Sequence, residues 1–337
     1  MKKGKKFFSN NAQQITLIIL IILISIIVQI RTEGRFLSPS NLYDLFRESA
    51  ILMMVSVGMM IVMISGGIDL AVGSIMGLSG MLCALTLRDH RSTPIWALFL
   101  LAIFIGLISG LLNGLVVAKL RIYPLIGTLG VSDILRGMVY VFSKGVWVGQ
   151  GEMTKEFMAI STDSVLGINN LVVIAIVITI IGGFFLNYTR TGRYIYAVGN
   201  SPESAIISGI NPEKIKFIAY IICGVISGLA GLLWICKFGN AQGDSANGFE
   251  LNVIAATVLG GVSITGGAGK ITGVVLGVLL FGILNNILPL IKVSAFWQMG
   301  IKGAVIIISI VVNAITRRYA QKRALERRAL YGTEAAE

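Results

Sequence analysis

Ten apolar runs separated by short polar breaks organise the chain, at about 13–31, 47–66, 70–88, 94–118, 123–143, 168–187, 215–237, 250–264, 270–291 and 296–316. A bilayer crossing needs roughly 20 mostly apolar residues in a helix, because lipid offers backbone amides no other partner. The pattern therefore predicts an all-α, polytopic membrane protein of about ten transmembrane helices. The eighth run is short for a full crossing. The first resembles a signal peptide, but RTEGRF follows it where a small-residue cleavage site would stand, so it reads as an uncleaved span.

Two polar intervals are long, 144–168 and 188–214. The second contains Asn200-Ser201-Pro202, a helix start with serine as cap and proline in the first turn. Gly209 and Asn211-Pro212 stop it, so a short helix is expected at about 202–208.

Composition agrees. Of 337 residues, 55% are hydrophobic and 13% charged, and the mean hydropathy is +0.85. Soluble domains carry about 25% charged residues. An ordinary cytosolic enzyme, a disordered chain and a disulfide-stapled domain are excluded. The three cysteines lack CxxC spacing and read as packed thiols. With a single histidine, no metal or haem site is expected.

The net charge of +12 sharpens the topology. Lys2, Lys3, Lys5 and Lys6 open the chain, and six Lys and Arg residues between Arg317 and Arg328 form a basic tail over 317–337. The positive-inside rule makes both termini cytoplasmic and the number of spans even. Nucleic acid is the weaker reading of such clusters in so apolar a chain. The remaining predicted cytoplasmic loops carry Lys119, Arg121, Arg190, Arg193, Lys214, Lys216 and Lys270, whereas nine basic residues on the external side are matched by nine acidic ones.

Two strings recur in order. GIDLAV (67–72) pairs with GFELNV (248–253), and GLLNGLVV (110–117) with GILNNILP (282–289). Corresponding spans are five apart and cross in opposite directions, which predicts an inverted repeat of 42–143 and 215–316 with broken helices near the repeat interface. Asp69 and Glu250 stand at the start of corresponding spans. A carboxylate there reads as a helix cap, as an anchor for a gate-forming bend, or as both. Asn113 and Asn285, with Asn286 beside the latter, are costly in lipid and must face protein or water. They read as interhelical hydrogen bonds or as contacts to an uncharged, hydroxyl-rich solute. Asp133 and Arg136, three residues apart, are expected to pair. Gly106, Gly110 and Gly114, Gly224 and Gly228, and Gly273 and Gly277 are spaced for close helix packing. GGAGKIT (266–272) approaches a phosphate loop but has Ile264 and Ile271 where the pattern needs Gly and Ser or Thr, so no nucleotide site is expected.

Three long motifs then carry a resemblance: GGIDLAVGSIMG (66–77), TGRYIYAVGNSPESAIISGIN (191–211) and FELNVIAATVLGGVSITGGAGKITGVVLG (249–277). Over about 40–315 the chain resembles the membrane permeases of bacterial ABC importers for simple sugars, the ribose, xylose, arabinose and rhamnose branch, with autoinducer-2 permeases as close relatives. The resemblance implies a non-catalytic, multi-pass subunit of the bacterial inner membrane that binds no cofactor itself. Its implied partners are membrane lipid, a second identical or homologous permease, cytoplasmic ATPases carrying ATP-Mg, and a periplasmic or lipid-anchored solute-binding protein. It also implies a docking motif, EAA-x-x-x-G, which Glu203, Ser204, Ala205 and Gly209 match with serine for the first alanine. The 188–214 interval would then be the cytoplasmic coupling loop. A stand-alone secondary transporter is the alternative, with Asp69, Asp133 or Glu250 as a titratable coupling site. A membrane enzyme lacks a catalytic constellation.

Overall fold

The computed structural model describes residues 12–294, 296–308 and 311. The basic clusters at both ends, the 317–337 tail and the end of the tenth run lie outside the described residues.

Each apolar run contains a helix. In chain order these are α1 (Ala12–Arg31), α2 (Pro39–Ile64), α3 (Val72–Asp89), α4 (Ile95–Gly114), α5 (Pro124–Ser143), α6 (Lys155–Thr162), α7 (Asn170–Tyr188), α8 (Arg190–Asn200), α9 (Pro202–Ile207), α10 (Pro212–Phe238), α11 (Phe249–Leu259), α12 (Ile271–Leu290) and α13 (Phe296–Ile308). Helix α4 runs on through a π-helical turn, Leu115–Lys119. Seven of them, α1, α2, α4, α5, α7, α10 and α12, are long and apolar enough to cross a membrane among the described residues.

The others depart from the expected spans for identifiable reasons. Helix α11 has 11 residues, about 16 Å at 1.5 Å per residue, which is half a bilayer. Gly260 and Gly261, the latter at φ +85°, end it before the expected 264. Helix α3 is diluted by Gly and Ser, which serve protein contacts. Its Ser79 hydroxyl donates to the Gly228 carbonyl at 2.7 Å, and Ser74 and Ser132 share a hydrogen bond at 2.8 Å. Helix α2 starts at Pro39 rather than near 47, because Ser38 accepts from the Asn41 amide and Pro39 takes the first turn.

The 144–169 interval forms a small layer at one end of the bundle. It contains α6 and a hairpin of β1 (Ser164–Val165) and β2 (Ile168–Asn169). The 188–214 interval holds two helices where one was expected. The second, α9, closely matches the predicted 202–208. The first, α8, is capped by Thr189 and buries Ile195 and Val198.

The core is built on α2 and α10, whose backbones meet where Gly58 faces Cys223. A Cβ at Gly58 would lie 3.2 Å from the Cys223 Cα. Helix α10 packs on α3 and α4, whereas α2 packs on α11 and α12. Each long helix thus covers the pair from the other half of the chain. The glycine spacing produces these contacts. A Cβ at Gly224 would stand 2.6 Å from the Gly110 Cα, and one at Gly277 would stand 2.5 Å from the Gly260 amide. The three cysteines are buried free thiols.

Gly106→Val should overpack the α4–α10 contact, since any Cβ there meets the Gly224 backbone. The expected loss is about 1–3 kcal/mol, read as a lower unfolding midpoint in detergent. Gly130→Ala, in the interior of α5 where nothing lies within reach of a Cβ, should instead raise stability by up to about 1 kcal/mol, because glycine is the poorer helix former.

Candidate functional site

Two broken segments and one surface helix gather the polar groups of this apolar molecule. The first break is the turn 65–71 between α2 and α3. Ser65 closes α2, and Gly66 at φ +85° reverses the chain in a conformation that suits glycine. The turn then runs through the protein interior, where its backbone groups need partners. Asp69 is fully buried and supplies one. Its carboxylate accepts from the Ala71 amide at 2.8 Å and from the Asn113 side-chain amide at 3.0 Å. The Leu70 amide donates to the Thr128 hydroxyl oxygen at 3.0 Å, and the Tyr220 hydroxyl donates to the Ile68 carbonyl at 3.1 Å. The turn is therefore tied to α4, α5 and α10 at once.

Asp69 and Asn113 are brought together by the fold. Two further oxygens of this pair, Asp69 Oδ2 and Asn113 Oδ1, are buried without a hydrogen-bond partner among the described residues. Thr128 and Tyr220 complete the arrangement. Neither stands in a motif, and only tertiary packing reveals them.

The second break is the segment between α10 and α11. Gly239 at φ +67° ends α10, and Gly248 at φ +75° precedes α11. Glu250 lies in the first turn of α11 and rests against Gly73 in the first turn of α3. Arg136 does not pair with Asp133. Its guanidinium donates to the carbonyls of Gly243 at 3.0 Å and Ser245 at 2.8 Å, while Asp133 stands on the exposed face of α5. Fixed loop carbonyls compensate the half-buried cation, and reaching them turns it away from Asp133.

The two asparagines of α12 differ. Asn286 and Asn41 exchange reciprocal amide hydrogen bonds at 3.0 and 3.1 Å, which fasten α12 to the start of α2. Asn285 Oδ1 is buried with no partner among the described residues. The structure does not bring Asn285 into hydrogen bonding with Asn113.

The surface helix is α9. The Ser204 amide donates to the Ser201 hydroxyl at 3.1 Å, and Pro202 occupies the first turn. The C-terminal end closes through Gly209, at φ +77°, with the Ile210 amide donating to the Ala205 carbonyl at 2.9 Å. This left-handed closure is a standard helix stop. Ala205 is buried against the bundle, whereas Glu203, Ser204, Ile206 and Ile207 are exposed, Ile207 by 88%. A cleft of about 770 Å³ opens beside the helix, bounded by Val117, Arg121, Tyr123, Ile206 and Lys216. An exposed apolar edge next to a cleft is a surface suited to a protein partner.

Comparison with known proteins agrees over nearly the whole chain. The family model described as branched-chain amino acid transport system / permease component matches residues 41–310. The ribose import permease protein RbsC of Escherichia coli (strain K12) is 35% identical over 314 residues, 92% of this chain and 97% of that protein. The L-arabinose ABC transporter permease protein AraH of Azospirillum brasilense is 32% identical over 295 residues, 88% of this chain and 85% of that protein. The autoinducer 2 import system permease protein LsrC of Escherichia coli (strain K12 / DH10B) is 30% identical over 312 residues, 93% of this chain and 90% of that protein. No solved structure matches the chain.

Thr128→Val should leave the Leu70 amide without its acceptor. The expected cost is about 1–3 kcal/mol of stability, measured by thermal unfolding of the purified protein. Thr128→Ser keeps the hydroxyl and should recover most of it.

Proposed function

This chain belongs to the family described as branched-chain amino acid transport system / permease component, and we propose that it is the membrane-spanning permease of an ATP-binding cassette importer for a monosaccharide or related small hydroxylated solute. The observation that carries this reading is the near full-length match to permeases whose names give ribose, L-arabinose and autoinducer 2 as cargo. The permease itself is not an enzyme. Hydrolysis of ATP-Mg belongs to partner ATPases, and the chain holds no cofactor of its own. It is a multi-pass protein of the bacterial inner membrane with both termini in the cytoplasm. It pairs with a second permease and takes solute from a periplasmic or lipid-anchored binding protein.

In this reading α9 is the coupling helix. Glu203, Ser204, Ala205 and Gly209 form its docking motif, and the exposed Ile206 and Ile207 enter the ATPase. The turn 65–71 lies at the same end of the bundle, since the Ile64 carbonyl accepts from Gly267 of the 260–270 turn and Tyr196 of α8 also bonds that turn. ATP-driven closure of the ATPases displaces α9 and rocks the bundle between outward-open and inward-open states. The exchanged packing of α2 and α10 supports the inverted repeat, because a two-fold relation maps the contact of α2 with α11 and α12 onto that of α10 with α3 and α4. Asp69 and Glu250 hold the two breaks of that repeat. Asn113 and Asn285 face the pathway with acceptor oxygens suited to solute hydroxyls. Asn286 serves the same region through its lock on Asn41.

Purified from its native membrane in mild detergent, the chain should bring an ABC ATPase identifiable by mass spectrometry. Gly209→Asp should stay in the membrane yet lose the ATPase, because it strains the left-handed position and adds charge to the docking face. Retention of the ATPase would sink the α9 assignment.

Asn113→Leu removes a donor from the buried Asp69 carboxylate and should cost some stability, yet it should lower uptake of the carried sugar, by about tenfold or more, further than it lowers assembly with the ATPase. Uptake at the wild-type rate would remove Asn113 from the pathway.

A further inference from the structure

We propose that Gly199 is the junction that transmits displacement of the docking helix to the polar turn. It is a positioning residue for transport, and the proposal rests on the reading of α9 as the ATPase-docking helix. A single residue, Ser201, separates the end of α8 from the start of α9. Anything that displaces α9 therefore pulls on the C-terminal end of α8.

That end is held by backbone. Gly199 lies directly against the carbonyl oxygen of Ile64, the last residue of α2. It also abuts Gly267, whose amide donates to the same oxygen at 2.9 Å. A Cβ on Gly199 would stand 2.6 Å from the Gly267 amide nitrogen and still closer to the Ile64 oxygen. On the other side, a Cβ on Gly266 would stand 2.7 Å from the Gly199 oxygen and 3.0 Å from the Gly66 Cα. Three segments thus meet with no side chain between them: the end of α8, the turn after α2 and the 260–270 turn. One helical turn earlier, the Tyr196 hydroxyl donates to the Gly269 carbonyl at 2.9 Å.

Glycine inside a helix costs about 1 kcal/mol relative to alanine. Close backbone approach explains it here. Backbone contacts have no rotamers with which to absorb a displacement, and packed interiors transmit strain. The segment reached is the one that carries Asp69 and is bonded to α4, α5 and α10. The other segment reached leads into α12. One contact therefore addresses elements from both halves of the chain.

The test uses the complete assembly of this permease with its co-purifying ATPase, trapped with ATP-Mg and orthovanadate and compared with the nucleotide-free assembly. Hydrogen exchange is followed at α9 and at residues 65–71. In the wild type, trapping should change exchange at both. In Gly199→Ala and in Tyr196→Phe the change at α9 should persist, while the change at 65–71 should shrink by about tenfold, within the range of coupling between distinct sites. A merely structural defect would alter exchange in both states alike and leave the trapping-dependent difference intact. If Gly199→Ala does not accumulate in the membrane, Tyr196→Phe decides, since it removes one hydroxyl. A wild-type response at 65–71 in the variants overturns the junction. So does a wild type that responds at α9 but not at 65–71. A wild type that brings no ATPase, or gains no protection at α9 when one is bound, overturns the docking-helix reading itself.

Discussion

A backbone amide or carbonyl away from water must find a partner inside the protein, and this requirement organises the structure around its two breaks. Helix α2 stops at Ile64, and its last carbonyl is taken by Gly267. The turn that follows spends a carboxylate, a threonine and a tyrosine on three backbone groups. The break before α11 spends an arginine on two carbonyls. Among the described residues, buried side-chain atoms of Asp69, Asn113 and Asn285 still lack a partner, as do those of Arg47, Ser49, Ser56, Asn170 and Ser227.

Close glycine packing follows from the same constraint. Between helices in lipid there is little hydrophobic gain, so association relies on van der Waals contact. The faces built on Gly106, Gly110, Gly224 and Gly228 bring α4 and α10 into backbone contact. Those built on Gly260, Gly273 and Gly277 do the same for α11 and α12.

Membrane family and surface helix complement each other. The matched relatives give the family, and α9 presents an exposed apolar edge at Ile206 and Ile207.

Much was legible from the chain alone. Apolar run lengths specified an all-α membrane protein, because a bilayer imposes one length scale on every span. Ser201-Pro202 and Gly209 located α9, because caps and stops are local chemistry. Glycine spacing anticipated the packed faces, because a step of four residues stays on one side of a helix. Long motifs led to the family. What the sequence could not supply were the partners. Asp133 and Arg136 share a face by spacing, yet a loop more than a hundred residues away offers Arg136 two backbone carbonyls. Thr128, Tyr220 and Gly199 look like ordinary residues of apolar or amphipathic helices. Their importance comes from what stands opposite, and only the folded chain decides which backbone group that is.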